Sequence, residues 1–392
     1  MRRVVAPLVV VLAGLVLGGL LAEIGARVFW AKQSEELLPL SYSHDDLRRI
    51  EMGDAYIRFD ADLGWSPRPA VRREGDGVTY QTNSAGMRAE REYALQPPAG
   101  ARRLAAFGDS FTHCDEVGYA DCWTAELERA WPGTEVLNFG MPASAPDQAW
   151  LRYRRDGRPY RPCAVLIGYF VENINRVVNR FRPFYSPETG IVLSKPRFVL
   201  DGDGLALLQN PASRPDQLDD PRWVEQVLGP SDYWYFPGTF VANPFDFLEA
   251  VRLARTDAYR RLRRSSLRGD ERYPLYREEE PYQVAGRVLV QFAREVQGDG
   301  ATPVVLMFGG RRDLGDVASR GGEKLYAPLL DWLAREGIPA LDVGERLIRD
   351  APRGGFDSLF TSEGHYRGSA NRIVAATLAR QLPGLASATC GG

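Results

Sequence analysis

Ser110 and His365 are the two residues of this sequence best placed to act as a nucleophile and its base. The apolar run Leu104-Ala105-Ala106-Phe107 breaks into Gly108-Asp109-Ser110-Phe111-Thr112 and then into a helix-like segment. That pattern predicts a buried strand, a tight turn and a serine at a helix N-terminus, where unpaired backbone N–H groups favour a developing anion. Asp and Ser are equally ordinary as turn and cap residues, so the turn alone does not make a nucleophile. A serine needs a base to take its proton, and the chain has three histidines. His44 lies near the N-terminus and His113 directly follows the serine turn. His365, in Thr361-Ser362-Glu363-Gly364-His365, stands on a loop before the last helix, from which it can reach the carboxyl edge of a parallel sheet.

Such a sheet is what the surrounding pattern predicts. Strands over 103–107, 135–139 and 164–170 alternate with helices around 121–131 and 145–155. After an interruption the rhythm resumes with a helix near 283–297, a very apolar strand Pro303–Phe308, a helix over 323–335, a short strand 339–343 and a last helix over 368–381. This is the βα alternation of an α/β fold. Residues 176–280 form an insertion rich in aromatic and Pro residues, in which Asp201-Gly202-Asp203-Gly204 reads as a turn and not as a calcium loop, since the remaining ligands are missing. Within it Leu248, Val251, Ala254, Ala258 and Leu262 recur at helical spacing, beside Arg252, Arg255, Arg260, Arg261, Arg263, Arg264 and Arg268. A solvated arginine face is the plain expectation for that helix; anionic lipid, an acidic glycan or a partner subunit are the alternatives.

Taken in order, these pieces resemble the SGNH hydrolases, the GDSL-type esterase and lipase superfamily. Gly108-Asp109-Ser110 resembles the first block of that family and Asn138-Phe139-Gly140 the second. Gly168-Tyr169-Phe170-Val171-Glu172-Asn173 resembles the third block's Gly-x-Asn-Asp, and Ser362-Glu363-Gly364-His365 the last block's Asp-x-x-His. The resemblance covers roughly residues 100–175 and 281–382. It implies a three-layer, flavodoxin-like α/β fold, with Ser110 as nucleophile, His365 as base, and an oxyanion hole built from the N–H of Ser110, the N–H of Gly140 and the amide of Asn173. Asn175 is the alternative position in the third block. The sequence departs from the family where Ser362 stands in place of the acid and Ile174 follows Asn173. Glu363 or a backbone carbonyl could orient the imidazole instead, Asp357 lies further back, or the acid is lost. The resemblance calls for no cofactor and no metal. No Gly-x-Ser-x-Gly elbow is present, which speaks against the ordinary α/β-hydrolase fold.

The chain begins with Met1-Arg2-Arg3 and then runs from Val4 to Ala22, nineteen residues without a charge. As a helix this covers roughly 28 Å, close to the hydrocarbon thickness of a bilayer. Residues 4–22 are therefore expected to anchor the chain in the lipid bilayer of an inner membrane, with Arg2 and Arg3 cytoplasmic and the remainder periplasmic. A signal peptide cleaved near residue 23 or 27 is the alternative. Gly14 and Gly18 could form a helix-packing face towards a membrane-protein partner, together with the insertion. The expected organisation is an anchor (1–30), a lead-in (31–100) with a hairpin at Tyr80–Arg88, an α/β domain (101–385) with its insertion, and a flexible tail (386–392).

An oxidising compartment would permit a disulfide between Cys114 and Cys122, which flank the loop after the serine, whereas Cys163 is expected to pack as a small hydrophobe and Cys390 to lie in the tail. The net charge of −2 argues against a nucleic-acid partner. Two functions follow as expectations: a serine esterase or O-acyltransferase acting on an acylated envelope glycan or small ester, as membrane-anchored members of the family suggest, or a non-catalytic subunit of a membrane complex on the same fold.

Overall fold

In the computed structural model, residues 2–30, 36–75, 77–265, 274–351 and 355–390 are described; Arg268 of the basic segment lies outside them. The helix Arg2–Trp30 opens the chain, and its stretch Val9–Phe29 is long and apolar enough to cross a membrane. A short helix, His44–Met52, follows, its first turn capped by Ser43 Oγ, which accepts the Asp46 N–H at 3.1 Å.

The lead-in then forms two antiparallel pairs, β1 (Ile57–Asp60) with β2 (Gly64–Pro67) and β3 (Arg72–Gly75) with β4 (Val78–Gln81). The hairpin therefore lies earlier than the expected Tyr80–Arg88. There the chain closes only a single bridge, Thr82 to Arg88, because Asn83 folds its side chain back onto the N–H groups of Ala85 and Met87.

The main sheet has five parallel strands, β5 (Arg102–Phe107), β6 (Thr134–Asn138), β7 (Ala164–Phe170), β10 (Thr302–Phe308) and β11 (Ala340–Asp342), in the spatial order β6-β5-β7-β10-β11. Numbered within this sheet the order is 2-1-3-4-5, the flavodoxin-like arrangement. Leu104 of β5 sits opposite both Val136 of β6 and Ala164 of β7, and Ile167 of β7 opposite Val305 of β10. Every residue of β7 is buried, as a central strand covered by helices on both faces requires. Among the covering helices, Glu279–Gly298 contributes Val284, Val288, Leu289 and Phe292 to the core. One helix that patterning does not reveal, Arg311–Arg320, buries only Leu314 and so has no apolar stripe to read.

Between β7 and β10 lies the insertion, whose hairpin β8 (Arg197–Asp201) and β9 (Gly204–Leu208) turns at Gly202-Asp203. Buried carboxylates organise much of the rest. Asp232 accepts N–H groups from Arg180, Phe181 and Trp234 at 2.6 to 2.9 Å, and Glu225 accepts those of Gly238, Phe240 and Val241. The basic helix spans Glu249–Ser265, and its arginines are not simply solvated. Arg252 donates to the Leu38 carbonyl, Arg255 holds Asp246 and the Gly238 carbonyl, and Arg261 pairs with Asp257.

Two disulfides are present, Cys114–Cys122 and Cys163–Cys390. The second corrects two expectations. Cys163 is not a free packing residue, and the tail is not loose at Cys390 but forms a short helix, Ser387–Cys390, tied to the edge of β7. Sequence separation hides such a pair: 227 residues divide the partners.

Candidate active site

At the carboxyl end of β5 the chain must turn within a very small space. A Cβ on Gly108 would stand 2.3 Å from Thr112 Oγ1 and 2.9 Å from the Gly168 carbonyl, so no side chain fits. Asp109 caps the next turn, Ser110–His113: its Oδ1 accepts the Phe111 N–H at 3.0 Å and its carbonyl accepts the N–H groups of Thr112 and His113. Ser110 is the first residue of this turn, so no preceding carbonyl can reach its N–H. Its side chain borders a cleft of about 430 Å³ that Phe111, Phe170, Glu172, Arg176, Arg311, Arg312, Glu363 and His365 also line.

His365 reaches the same cleft from a tight loop. Its N–H donates to Thr361 Oγ1 at 3.0 Å, and the Thr361 N–H donates back to its carbonyl at 2.9 Å. Glu116 Oε1 lies 2.6 Å from His365 Nδ1. An ionised carboxylate there fixes the tautomer with hydrogen on Nδ1 and leaves the Nε2 lone pair free to accept a proton. Burial works to lower the His365 pKa, but the hydrogen bond from Glu116 and the charges of Asp115 and Asp109 outweigh it, so the imidazole is held above its ordinary value. Burial likewise pushes the Glu116 carboxyl up, yet its bonds to His365 and Thr361 leave it below the usual range.

The carboxylate on the imidazole is therefore Glu116 and not Glu363, which lines the cleft with its side chain exposed. Glu116 was missed because it lies 249 residues from His365 and in no block of the family pattern. What places it is the lead-in. The Glu116 N–H donates to Tyr80 Oη at 2.7 Å, and Arg88 Nη2 donates to the Val117 carbonyl at 2.6 Å. The Cys114–Cys122 disulfide closes the same loop. Both Cys114 and Glu116 have left-handed backbones, with φ of 63° and 66°, conformations that cost non-glycine residues on the order of 1–2 kcal/mol each and persist only where surrounding contacts impose them.

The other expected donors are placed differently. Gly140 packs so tightly on the serine turn that a Cβ would sit 2.3 Å from the His113 nitrogen, and its N–H donates to Asn138 Oδ1 at 2.9 Å. The Asn173 amide donates to Asp109 Oδ2 at 2.8 Å, beside Arg176, which pairs with the same oxygen at 3.1 Å. Neither Gly140 nor Asn173 lines the cleft. Asn175 lies further from the site, its amide donating to Tyr185 Oη at 3.2 Å. Arg176, which sequence reading passed over, is both buried and part of the cleft wall, bridging Asp109 and Glu172. Among the described residues no group of His, Cys, Asp and Glu side chains is arranged to hold a metal ion.

No protein-family model and no curated protein matches the chain. Solved structures to which the chain is similar include the lipase/acylhydrolase from Enterococcus faecalis, at 14% identity over 72% of this chain and 96% of that one, with a TM-score of 0.35. A lipolytic protein of the G-D-S-L family from Veillonella parvula is 11% identical over 72% and 98%, with a TM-score of 0.35. A catalytic mutant of an acetylxylan esterase from Geobacillus stearothermophilus is 12% identical over 72% and 95%, with a TM-score of 0.36. The strand order of the sheet is the flavodoxin-like one, and Ser110 and His365 line one cleft at its carboxyl edge.

Proposed function

We propose that this chain is a membrane-anchored serine esterase or O-acyltransferase that acts outside the cytoplasm on short acyl esters of an envelope glycan or a small molecule. The observation that carries the reading is the Glu116–His365 pair at 2.6 Å, with His365 lining the same cleft as Ser110. In the first step Ser110 Oγ attacks the ester carbonyl and His365 Nε2 takes the hydroxyl proton. The tetrahedral oxyanion collapses, the proton passes to the departing alcohol, and an acyl-enzyme remains on Ser110. Water or an acceptor hydroxyl then discharges it, giving hydrolysis or transfer.

The Ser110 N–H faces the oxyanion first, and Arg176 supplies positive charge in the cleft wall. Gly140 can add its N–H only by giving up Asn138 Oδ1, whereas the Asn173 amide keeps a second N–H beside the one that Asp109 accepts. The apolar lining is limited to the stacked rings of Phe111 and Phe170, 4.0 Å apart, among charged groups. That suits an acetyl-sized group on a polar body better than a long acyl chain. Two disulfides support an oxidising compartment and the apolar N-terminal helix supports an anchor.

The test is hydrolysis of a short-chain aryl acetate by the full chain in detergent, beside Ser110→Ala and His365→Ala. Turnover should vanish in both, and undiminished turnover in Ser110→Ala would overturn the proposal. One observation favours the second reading, a non-catalytic subunit: the N–H of Gly140 is already engaged within the protein, and neither Gly140 nor Asn173 lines the cleft. Inactivity of the parent chain, with co-purification of a membrane protein that Gly14→Leu/Gly18→Leu releases, would establish that reading instead.

A further inference from the structure

The N-terminal helix and the insertion meet at Glu23, the first charged residue after the apolar run. Its carboxylate accepts the N–H groups of Glu249 at 3.1 Å and Ala250 at 3.0 Å, capping the basic helix, while Arg27 Nε donates to it at 2.7 Å. The two helices pack together there, with Ala26 buried one turn on. The basic helix thus begins at the level where the apolar run ends.

Immediately before that beginning, the turn 243–248 presents two phenyl rings to the outside, Phe245 at 60% and Phe247 at 70% exposure. The turn is braced, not loose. The Asn243 N–H donates to Asp246 Oδ2 at 2.7 Å, the Phe245 N–H to Asn243 Oδ1 at 3.0 Å, and Arg255 grips both oxygens of Asp246. Outside the N-terminal helix, the other large apolar side chains exposed among the described residues, Met52, Leu95, Val227 and Leu385, are scattered through the sequence. Only Leu248 separates Phe247 from Glu249, so their Cα atoms lie within about 8 Å. Ile24, Val28 and Phe29, in the turns of the N-terminal helix around and after Glu23, are exposed as well.

We infer that the 243–248 turn seats the catalytic domain on the bilayer, with Phe245 and Phe247 inserted in the interfacial layer of the leaflet through which the anchor leaves. Apolar side chains such as Phe bury at the headgroup/acyl boundary, and the rings precede the helix end that meets the anchor at Glu23. The occupant of this patch is lipid, because the turn leads directly into the helix end that Glu23 caps, at the level where the apolar run of the anchor ends. Seating fixes the height and tilt of the cleft over the membrane, where a tether alone would let the domain swing. The inference rests on the reading of residues 4–22 as a bilayer anchor.

The test uses the full chain in phosphatidylcholine/phosphatidylglycerol nanodiscs, with an environment-sensitive fluorophore on Phe247→Cys and, separately, on Leu17→Cys. Both native side chains are exposed, so neither substitution disturbs packing. The expected result is that lipids bearing a nitroxide on the acyl chain remove more than half of the emission at both positions. Quenching at 17 with a water-like, unquenched spectrum at 247 overturns the seating and leaves the anchor standing. A blue-shifted but unquenched probe at 247 assigns the patch to a protein partner and also overturns it. An unquenched probe at 17 removes the anchor, and the seating with it.

Discussion

Two histidine–carboxylate pairs hang from one short loop, and they behave in opposite ways. Asp115 bonds His113, and the next residue, Glu116, bonds His365. His113 is sealed inside the protein, its Nε2 2.8 Å from Tyr56 Oη and the ring stacked on Tyr80. Burial drives its pKa down to about 4, with Arg88 and Arg152 adding to the effect against the pull of Asp115. His365 borders the cleft, and there carboxylates outweigh burial. A histidine beside an acid is therefore no more than a motif. What surrounds it decides whether the imidazole stays neutral as part of the scaffold or can accept a proton in the working pH range.

The comparison breaks most visibly on removing each ring in turn. On the proposed mechanism, His365→Ala should lower kcat/KM for an aryl acetate by at least about 10³-fold, the scale of losing the base from a serine triad. His113→Gln should cost a few kcal/mol of stability, read from denaturant unfolding, with turnover of the folded fraction changed far less.

Next come the carboxylates. Glu116→Gln should lower kcat by about 10²- to 10⁴-fold, because the tautomer is no longer fixed and the imidazolium is no longer stabilised. In the proposed mechanism His365 must be neutral, so the rate should rise with pH through its elevated pKa. Without the Glu116 charge that pKa falls, and the rising limb of the pH profile should move to lower pH. An unmoved limb would mean that another group holds the ring.

Stability offers the converse test. His113 is neutral when folded and protonates more readily when unfolded. Its contribution is complete above its ordinary value of 6.5 and is lost as pH falls towards about 4, amounting to about 3 kcal/mol. His113→Gln should flatten that part of the pH–stability curve. Tyr80→Phe, which removes the acceptor for the Glu116 N–H, should cost about 1 kcal/mol and lower kcat several-fold. The smallest effect is expected for Glu363→Gln, with kcat/KM kept within about two-fold, since an exposed carboxylate away from the imidazole is largely solvated.

Much of the scaffold was legible because its signals are local. An apolar strand interrupted by glycine, then a serine and a helix, leaves little choice for Leu104 to Phe111, and the strands over 164–170 and 303–308 announce themselves by the same unbroken apolarity. Arg311–Arg320 escaped because a helix with one buried side chain has no period to read. Cys163 and Cys390 escaped because nothing in either neighbourhood names the other.

The sequence by itself determined the α/β alternation, the serine turn and the apolar N-terminal run, all of which follow from short-range patterning of residue type. Only the tertiary structure decided which acid serves His365. Glu363 lies two residues away and turns to solvent, while Glu116 arrives from the far side of the chain. The lead-in residues Tyr80 and Arg88, the Cys114–Cys122 bond and a left-handed backbone hold it there. A hydrogen bond depends on where two atoms are brought in space, and separation along the chain carries no record of that.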